Sequence, residues 1–495
     1  MQSDDQRVFA LATNRVARVS VNSVLSSKVI DSRVTIHDTS RRIEWCRPLM
    51  NRRDFLAGAG AAAAFSMLGA RGVRGAAAAP ITVAATGDCI LSRRVSHLTD
   101  PGFLRVVQLL RSADCAYGNC ELVMASSEPG YPTAAGASLS VIVDPKMADE
   151  LAWLGYDVMG TANNHSTDYG VEGIRSTIAN LERVGIGHAG TGLNLQQAAA
   201  AGYADTPGGR VALINCASTF PPWSPAVQAR GDFKGVPGLN PVRVERRYQL
   251  EPAAFAGVQT AAKSLGQTLP PEAQREFTWL GNTFVPGATS DFLSEAAAVD
   301  VKRLAEAIQT ARRNARLVLV SIHAHESYRT LDAPARFLQP LARACIDAGA
   351  DAFFGAGPHV TWGIELYKGK PICYSLGDFL FQYETVRGYA ADTYEAYKLD
   401  PQTPDHSLAS DRITLPHDPA IWESVLPMMT FAGSDLQQMV LHPVASDMSL
   451  PRFERGTPSL ATGETAERIM SRMIAQSKPY GTSISFEQGR GIVRV

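Results

Sequence analysis

From Ile81 onward the chain alternates short apolar runs with longer segments whose apolar residues recur at helical spacing. "ITVAATGD" predicts a strand ending in a loop at Asp88, and "CAYGNCELV" predicts a second strand whose loop carries Asn119 and Glu121. "DPKMADELAWLG" reads as a helix with Asp144 as N-cap and Pro145 at the first helical position. "YDVMGTA" follows as a strand and delivers "TANNHSTDYG" at its carboxyl end. The pattern continues with "GVEGIRSTIANLERVG" as helix, "GHAGTG" as short strand, "LQQAAAAGY" as helix and "RVALINC" as strand. Later, "VDVKRLAEAIQTARRN" leads into the strand "ARLVLVSIHAHE", and "DAPARFLQPLARACIDAGA" leads into "DAFFGAGPHV". "GIELYKGKPICYSLGDFLF" holds two alternating runs around Lys368 to Lys370, a hairpin. Strands separated by helices predict an α/β fold with a mostly parallel central sheet.

Regularity lapses between Ala217 and about Ser290, where Pro, Gly and scattered aromatics dominate; residues 217–290 are expected to be an irregular insertion over the site. From Asp392 to Pro416 an exposed loop is expected. After it, "SVLPMMTFAG" and "LQQMVLHPV" read as paired strands and "GETAERIMSRMIAQSK" as a terminal helix. Residues 391–495 thus complete the domain that spans 80–390.

The chain has 495 residues, 45% apolar and 19% charged, enough to bury a large core. Its net charge of −1 comes from acids and bases spread evenly, with no basic stripe, which excludes nucleic acid as the main partner. Residues 50–79 carry Arg52 and Arg53, then Phe55 and Leu56, an Ala/Gly-rich stretch and the Ala76 to Ala79 run. These are the regions of an export signal of the twin-arginine type. An Ala-rich internal helix or a membrane anchor is the alternative, but the apolar stretch falls well short of the ~20 residues a span needs. The expectation is a periplasmic or extracellular protein, passed through the twin-arginine export machinery, beginning near Ala77 to Ile81 and without a stable transmembrane span. Residues 1–49 are Arg-rich and lack periodicity, so Met50 is expected to be the start and 1–49 a non-native or disordered leader. Cys89, Cys115, Cys120, Cys216, Cys345 and Cys373 follow the signal; disulfides and buried free thiols both fit an exported protein folded beforehand in a reducing cytoplasm. No CxxC pair occurs, which disfavours a structural zinc site.

Chemistry enters through where the polar residues fall. Five apolar runs each end in a loop bearing Asp88, Glu121, the Asn164 and His165 pair, His323 with His325, or His359. Ligands of open α/β sheets collect at the carboxyl ends of strands, so these loops are expected to converge. Carboxylate, carboxamide oxygen and imidazole form a mixed donor set suited to Mn, Fe or Zn. Glu121 has the chemistry to bridge two divalent cations about 3.5 to 4 Å apart. Asn164 offers a neutral oxygen, and His165 a proton for a leaving group.

Each residue also has a plain structural reading. Asp88 after Gly87 fits a turn, Glu121 a solvated loop, and Asn163 and Asn164 are ordinary loop residues. Asp168 reads first as the N-cap of the helix opening at Gly170 and second as an orienting partner of His165. His323 and His325, two apart on a strand, are expected to project to one face. His188 reads as a packed strand residue, and His97, His406, His417 and His442 as surface or structural. A serine hydrolase finds no GxSxG elbow, and a phosphate-binding loop no GxxxxGK[ST] run.

The ordered set "TGD", "GNCEL", "ANNHSTDYG", "SIHAHE" and "GAGPHVTWGIELYKGKPICYSLGDFLF" resembles the CapA-type poly-γ-glutamate capsule synthesis proteins, relatives of the calcineurin-like metallophosphatases. The resemblance implies a metallophosphatase-like four-layer sandwich, two mixed β-sheets flanked by helices. It implies metal ligation by Asp88, Glu121, Asn164, His323 and His359, with His165 as acid or transition-state stabiliser. It further implies an anionic envelope polymer such as poly-γ-glutamate as partner. Two departures stand out. Many relatives carry a second histidine just before the proline of the "GxxPH" segment, where this chain has Ala356 and Gly357, which makes His325 a candidate substitute ligand. Asp378 stands where Asn is usual. The departures leave two functions open: a metal-dependent hydrolase acting on a phosphoester or amide bond, and a non-catalytic factor that binds the polymer for export or anchoring.

Overall fold

The computed structural model describes residues 79–126, 132, 139–383, 387–402 and 418–495. The leader, the signal segment up to residue 78, His406, His417 and most of the expected exposed loop lie outside the described residues.

Two large sheets organise the chain. The first runs, in spatial order, Ile484–Glu487, Arg490–Val493, Asp435–Ala445, Glu423–Ala432, Ile81–Ile90, Cys115–Cys120, Val158–Gly160 and Gly187–Ala189. Its second half is parallel and its first half antiparallel. The second sheet runs Thr361–Tyr367, Lys370–Leu376, Ala352–Ala356, Leu317–His323, Gly209–Ala217 and Gly202–Thr206, parallel at its centre and antiparallel at both edges. The mostly parallel central sheet read from the alternation is therefore corrected to mixed sheets, as the resemblance implied. Alternating strand and helix signals register parallel neighbours, but they carry no information on which sheet a strand joins.

The two sheets share a core in which Val83 and Tyr117 of the first meet Leu319 and Phe354 of the second; the Tyr117 and Phe354 rings stack at 5.2 Å. Central strands buried on both faces explain the near-continuous apolar runs "ITVAA" and "LVLVSI". The outer face of the first sheet is covered by Pro101–Ser112 and Met147–Leu154, through Phe103, Val106, Leu151 and Leu154. Asp100 starts the first of these helices by accepting from Phe103 N, with Pro101 at its first position. Ala298–Arg312 and Leu338–Asp347 cover the second sheet through Leu304, Ile308, Leu341 and Cys345. The Gly463–Ser477 helix inserts Ile469, Met470 and Met473 into the shared core. The six described cysteines are buried free thiols.

Several boundaries differ from the sequence expectation. The first strand continues through Asp88 to Ile90, because a register shift between Ala85 and Asp88 lets its end pair with Asp378–Phe381. Asp144 caps a turn rather than the helix: its Oδ1 accepts from Lys146 N, and the helix begins at Met147. "LQQAAAAGY" is helical only over Leu195–Ala198 and becomes a strand at Gly202. The hairpin turn is carried by Lys368 (φ 52°) and Gly369 (φ 73°), both in the left-handed region that a two-residue hairpin requires. The stretch read as irregular is ordered over much of its length. Val244–Leu250, Phe277–Trp279, Asn282–Pro286 and Asp291–Ala296 form a four-stranded sheet, and Pro252–Ser264 packs on it around Phe255, Ala262, Ala273 and Phe277. Its amphipathic signal was masked by Pro and Gly in the turns.

Candidate metal centre

The site forms where strand ends of the two sheets meet. At Gly377 (φ 77°) the chain leaves the second sheet and rejoins the first, placing Asp378 in register with Asp88. The crossing is so close that a side chain at Gly87 would strike Gly377 O, 1.8 Å from an ideal Cβ. Asp88 N donates to that same carbonyl at 3.1 Å. Asp88 and Glu121 are fully buried here, as is His323.

Asp88 Oδ1 accepts from Asn119 Nδ2 (2.7 Å) and Oδ2 from Gly357 N (2.9 Å), while His323 Nδ1 stands 3.6 Å from Oδ1. His323 Nε2 and His325 Nε2 are 2.8 Å apart. His323 ends its strand and His325 lies beyond it, so the pair does not share a strand face as expected; the loop turns the second ring back toward the first. His359 has φ 61°, a conformation uncommon for a non-glycine residue, which costs about 1–3 kcal/mol and persists only where the surroundings impose it. Its Nδ1 is 2.8 Å from Asp378 Oδ1.

Glu121 sits at the middle. Its two oxygens are buried and have no hydrogen-bond partner among the described residues. Its nearest imidazole nitrogens are His323 Nε2 at 3.7 Å and His165 Nε2 at 3.9 Å. Two groups of three ligands converge to within 4.8 Å, Glu121 with His323 and His325, and Asp88 with Glu121 and His359. Glu121 belongs to both. Asn119 Oδ1, Asn164 Oδ1 and Asp378 Oδ2 are likewise buried without partners. Buried polar oxygens are normally satisfied, and orphaned acceptors on Glu121, Asn119 and Asp378 beside Asp88, His323 and His359 are the pattern a cation would complete. The donor set therefore fits a metal ion.

The electrostatics agree. Burial and the Asp88 charge push the Glu121 carboxyl well above its usual range. Burial would also raise Asp88, but the hydrogen bond and charge of His323, then His359 and the Gly357 amide, hold it below the ordinary value. Burial lowers His323, and lowers His325 well below the imidazole range with help from His323. Burial alone would lower His359 too, but Asp378, Glu121 and Asp88 outweigh it and raise it to about 10. Burial raises Asp378 to about 7 against the pull of His359. Too many acids and imidazoles share too little solvent here.

His165 Nδ1 lies 2.8 Å from Asp168 Oδ2, which also accepts from Val141 N at 2.7 Å. Asp168 is therefore a partner of His165 and not an N-cap; Tyr169 takes that position without a side-chain bond. Asn163 holds the loop, accepting from His165 N and donating to Cys120 O beside Glu121. Asn164 precedes His165, its oxygen orphaned as noted. Sequence reasoning passed over Asp378 as the partner of His359, and over Phe381 and Tyr383, stacked at 5.5 Å with their rings beside His359 and His165 respectively. Asp378 had a visible signal in "SLGDF"; the aromatic pair had none. His188 packs against Glu182, and His442 is buried and pushed down to about 4 by burial and Arg490.

A side chain at position 357 would meet a local obstacle in this chain. Gly357 has φ 111°, and an ideal Cβ there lies 2.9 Å from Ala324 N. The backbone of the His323 to His325 segment occupies the space a side chain would need, and His325 brings an imidazole from that segment instead.

The family model described as bacterial capsule synthesis protein PGA_cap matches residues 82–383, which include the whole centre. Two uncharacterized proteins of Sinorhizobium fredii, y4sH and y4uA, are each 36% identical over 430 residues, covering 84% of this chain and 93% of their own length. The capsule biosynthesis protein CapA of Bacillus anthracis is 25% identical over 306 residues, 61% of this chain and 60% of its own. The PGA biosynthesis protein CapA of Bacillus subtilis is 26% identical over 301 residues, 60% of this chain and 62% of its own.

Proposed function

The chain belongs to the bacterial capsule synthesis protein family, and from that premise we propose that it is an exported, metal-dependent hydrolase of capsule or poly-γ-glutamate metabolism with a metallophosphatase-like fold. It cleaves a phosphoester or amide bond in an anionic envelope polymer. The observation that carries this reading is Glu121, a buried carboxylate with both oxygens unpartnered, shared by two convergent ligand groups. Asp88, Glu121, His323, His325 and His359 would hold two divalent ions, Mn, Fe or Zn, with Asn164 adding a neutral oxygen. Such a pair supplies Lewis-acid activation of water and of the bond to be cleaved.

The protein's own groups do the rest. Asp168 accepts from His165 Nδ1 and fixes the ring, which leaves Nε2 directed toward Glu121 to deliver a proton to the leaving atom. Asp378 orients His359 in the same manner. Phe381 and Tyr383 stack on each other beside His359 and His165 and line the site next to both rings. Among the described residues no helix is long and apolar enough to cross a membrane. Delivery through the Arg52 and Arg53 signal fits a polymer substrate in the envelope, and N-terminal sequencing of the mature protein tests it.

Metal analysis of the purified chain, with hydrolysis of a bis(nitrophenyl) phosphate and of a γ-glutamyl oligomer by wild type and His165→Asn, tests the reading. Retained transition metal and activity lost in the variant are expected. No retained metal, or activity indifferent to His165, would refute it. Gly357 in place of a histidine favours a second reading, a polymer-binding export or anchoring factor; polymer binding that survives chelation and His165→Asn, without hydrolysis, would select it.

A further inference from the structure

His325 stands beyond the last strand residue, His323, so no sheet ladder fixes its backbone. Another set of bonds does. His325 N donates to Thr219 Oγ1 (2.9 Å), and Ser218 N donates to His323 O (3.0 Å). Thr219 Oγ1 and Ser218 Oγ in turn both donate to Glu326 Oε2, each at 2.8 Å. The other oxygen, Oε1, accepts from Arg246 at 3.1 Å. The Glu326 side chain is 13% exposed and that of Arg246 is 52% exposed. Arg246 belongs to the Val244–Leu250 strand of the inserted four-stranded sheet, which has a small core around Phe255 and Phe277 and packs Val244 and Ala296 against the second large sheet.

We propose that Glu326 is a positioning residue for the cation position built by Glu121, His323 and His325, and that Arg246 couples that position to the inserted sheet. The inference rests on the metal-centre reading above. A carboxylate accepting from two hydroxyls and a guanidinium fixes the hydroxyl rotors, so Thr219 keeps its lone pair on His325 N. With His325 N held, its ring nitrogen stays opposed to that of His323. Without that hold, the loop is free to turn the ring away. Among the described residues no hydrogen bond or ion pair joins Glu326 to Asp88, Glu121 or His359, so that ligand group should stay intact.

The test is calorimetric titration of Mn²⁺ into the full chain stripped of metal, paired with the visible spectrum of the Co²⁺-loaded protein. Wild type, Glu326→Gln, Arg246→Met and Arg246→Lys are compared. The expected result is two binding steps in wild type, one of them weakened about 10-fold or more by Glu326→Gln and by Arg246→Met, the range typical of lost outer-shell support. A changed Co²⁺ spectrum and recovery in Arg246→Lys should accompany it. Arg246→Met acts from the surface and decides the matter should Glu326→Gln fail to fold. Two wild-type steps left unchanged by the variants, or weakened equally, would overturn the positioning role while the metal reading stands. A wild-type chain that binds no ion would overturn both.

Discussion

Replacing Glu121 by methionine isolates the tension at the heart of the site. The side chain is buried, both oxygens lack partners, and the nearest imidazole nitrogens are 3.7 and 3.9 Å away, too far for hydrogen bonds. A buried acceptor left unsatisfied costs about 1–3 kcal/mol, and a buried charge more. The metal-free protein relieves part of this by protonation, since burial and Asp88 raise the carboxyl well above its usual range. Methionine matches the side chain in length and volume and asks for no partner, so the chelator-treated Glu121→Met protein should be more stable than wild type by about 1–3 kcal/mol. Cations at 100 times their Kd should stabilise wild type by about 2.7 kcal/mol per site, and the variant, which lacks the carboxylate common to both ligand groups, by far less. The stability order therefore closes or reverses on adding metal. Urea unfolding followed by tryptophan fluorescence, in chelator and in Mn²⁺, reads both arms. A variant less stable than wild type in chelator, or one with an undiminished metal-induced gain, would refute the reasoning.

Further expectations follow from single groups. His165→Asn should lower hydrolysis by about 10²- to 10⁴-fold with metal content unchanged, and Asp168→Asn by less; atomic absorption and steady-state rates check this. Metal affinity should rise with pH, because His359, raised to about 10, and Asp378, raised to about 7, must lose protons as cations enter; titrations at pH 6, 7.5 and 9 measure it, and a flat profile would contradict it. In the metal-free protein the raised His359 contributes stability that is full below its ordinary 6.5 and lost as pH rises through 10, visible as a falling urea midpoint over that window. Gly357→Ala should destabilise by more than about 1 kcal/mol, because it combines φ 111° with a contact at 2.9 Å, and should weaken metal retention by displacing the amide bonded to Asp88.

Much of this was legible in the chain because strand ends carry their polar residues in sequence. Asp88, Glu121, His165, His323 and His359 each follow an apolar run, and the structure gathers them, with His325, at one point. The hairpin at Lys368 and Gly369 and the paired strands Glu423–Ala432 and Asp435–Ala445 were equally visible, since local turn chemistry and alternation set them. Which strand joins which sheet was not legible from the alternation, and the crossing at Gly87 and Gly377 that returns Asp378–Phe381 to the first sheet is a long-range close approach with no local signature. Asp168 was read toward an N-cap because its position before a helix fits that role; its capture by His165 and Val141 N needs the fold. The 217–290 stretch looked irregular because its core of Phe255, Ala262, Ala273 and Phe277 is small and spread over short elements.

The most direct measurement is the number of transition-metal ions per chain in the folded protein after purification without chelator and loading with Mn²⁺, Fe²⁺ or Zn²⁺. Two tightly held ions per chain, falling sharply in Glu121→Met, are expected. A chain that takes up none, and whose stability does not respond to any of the three metals, would contradict the claim that Glu121 and its neighbours form a metal centre.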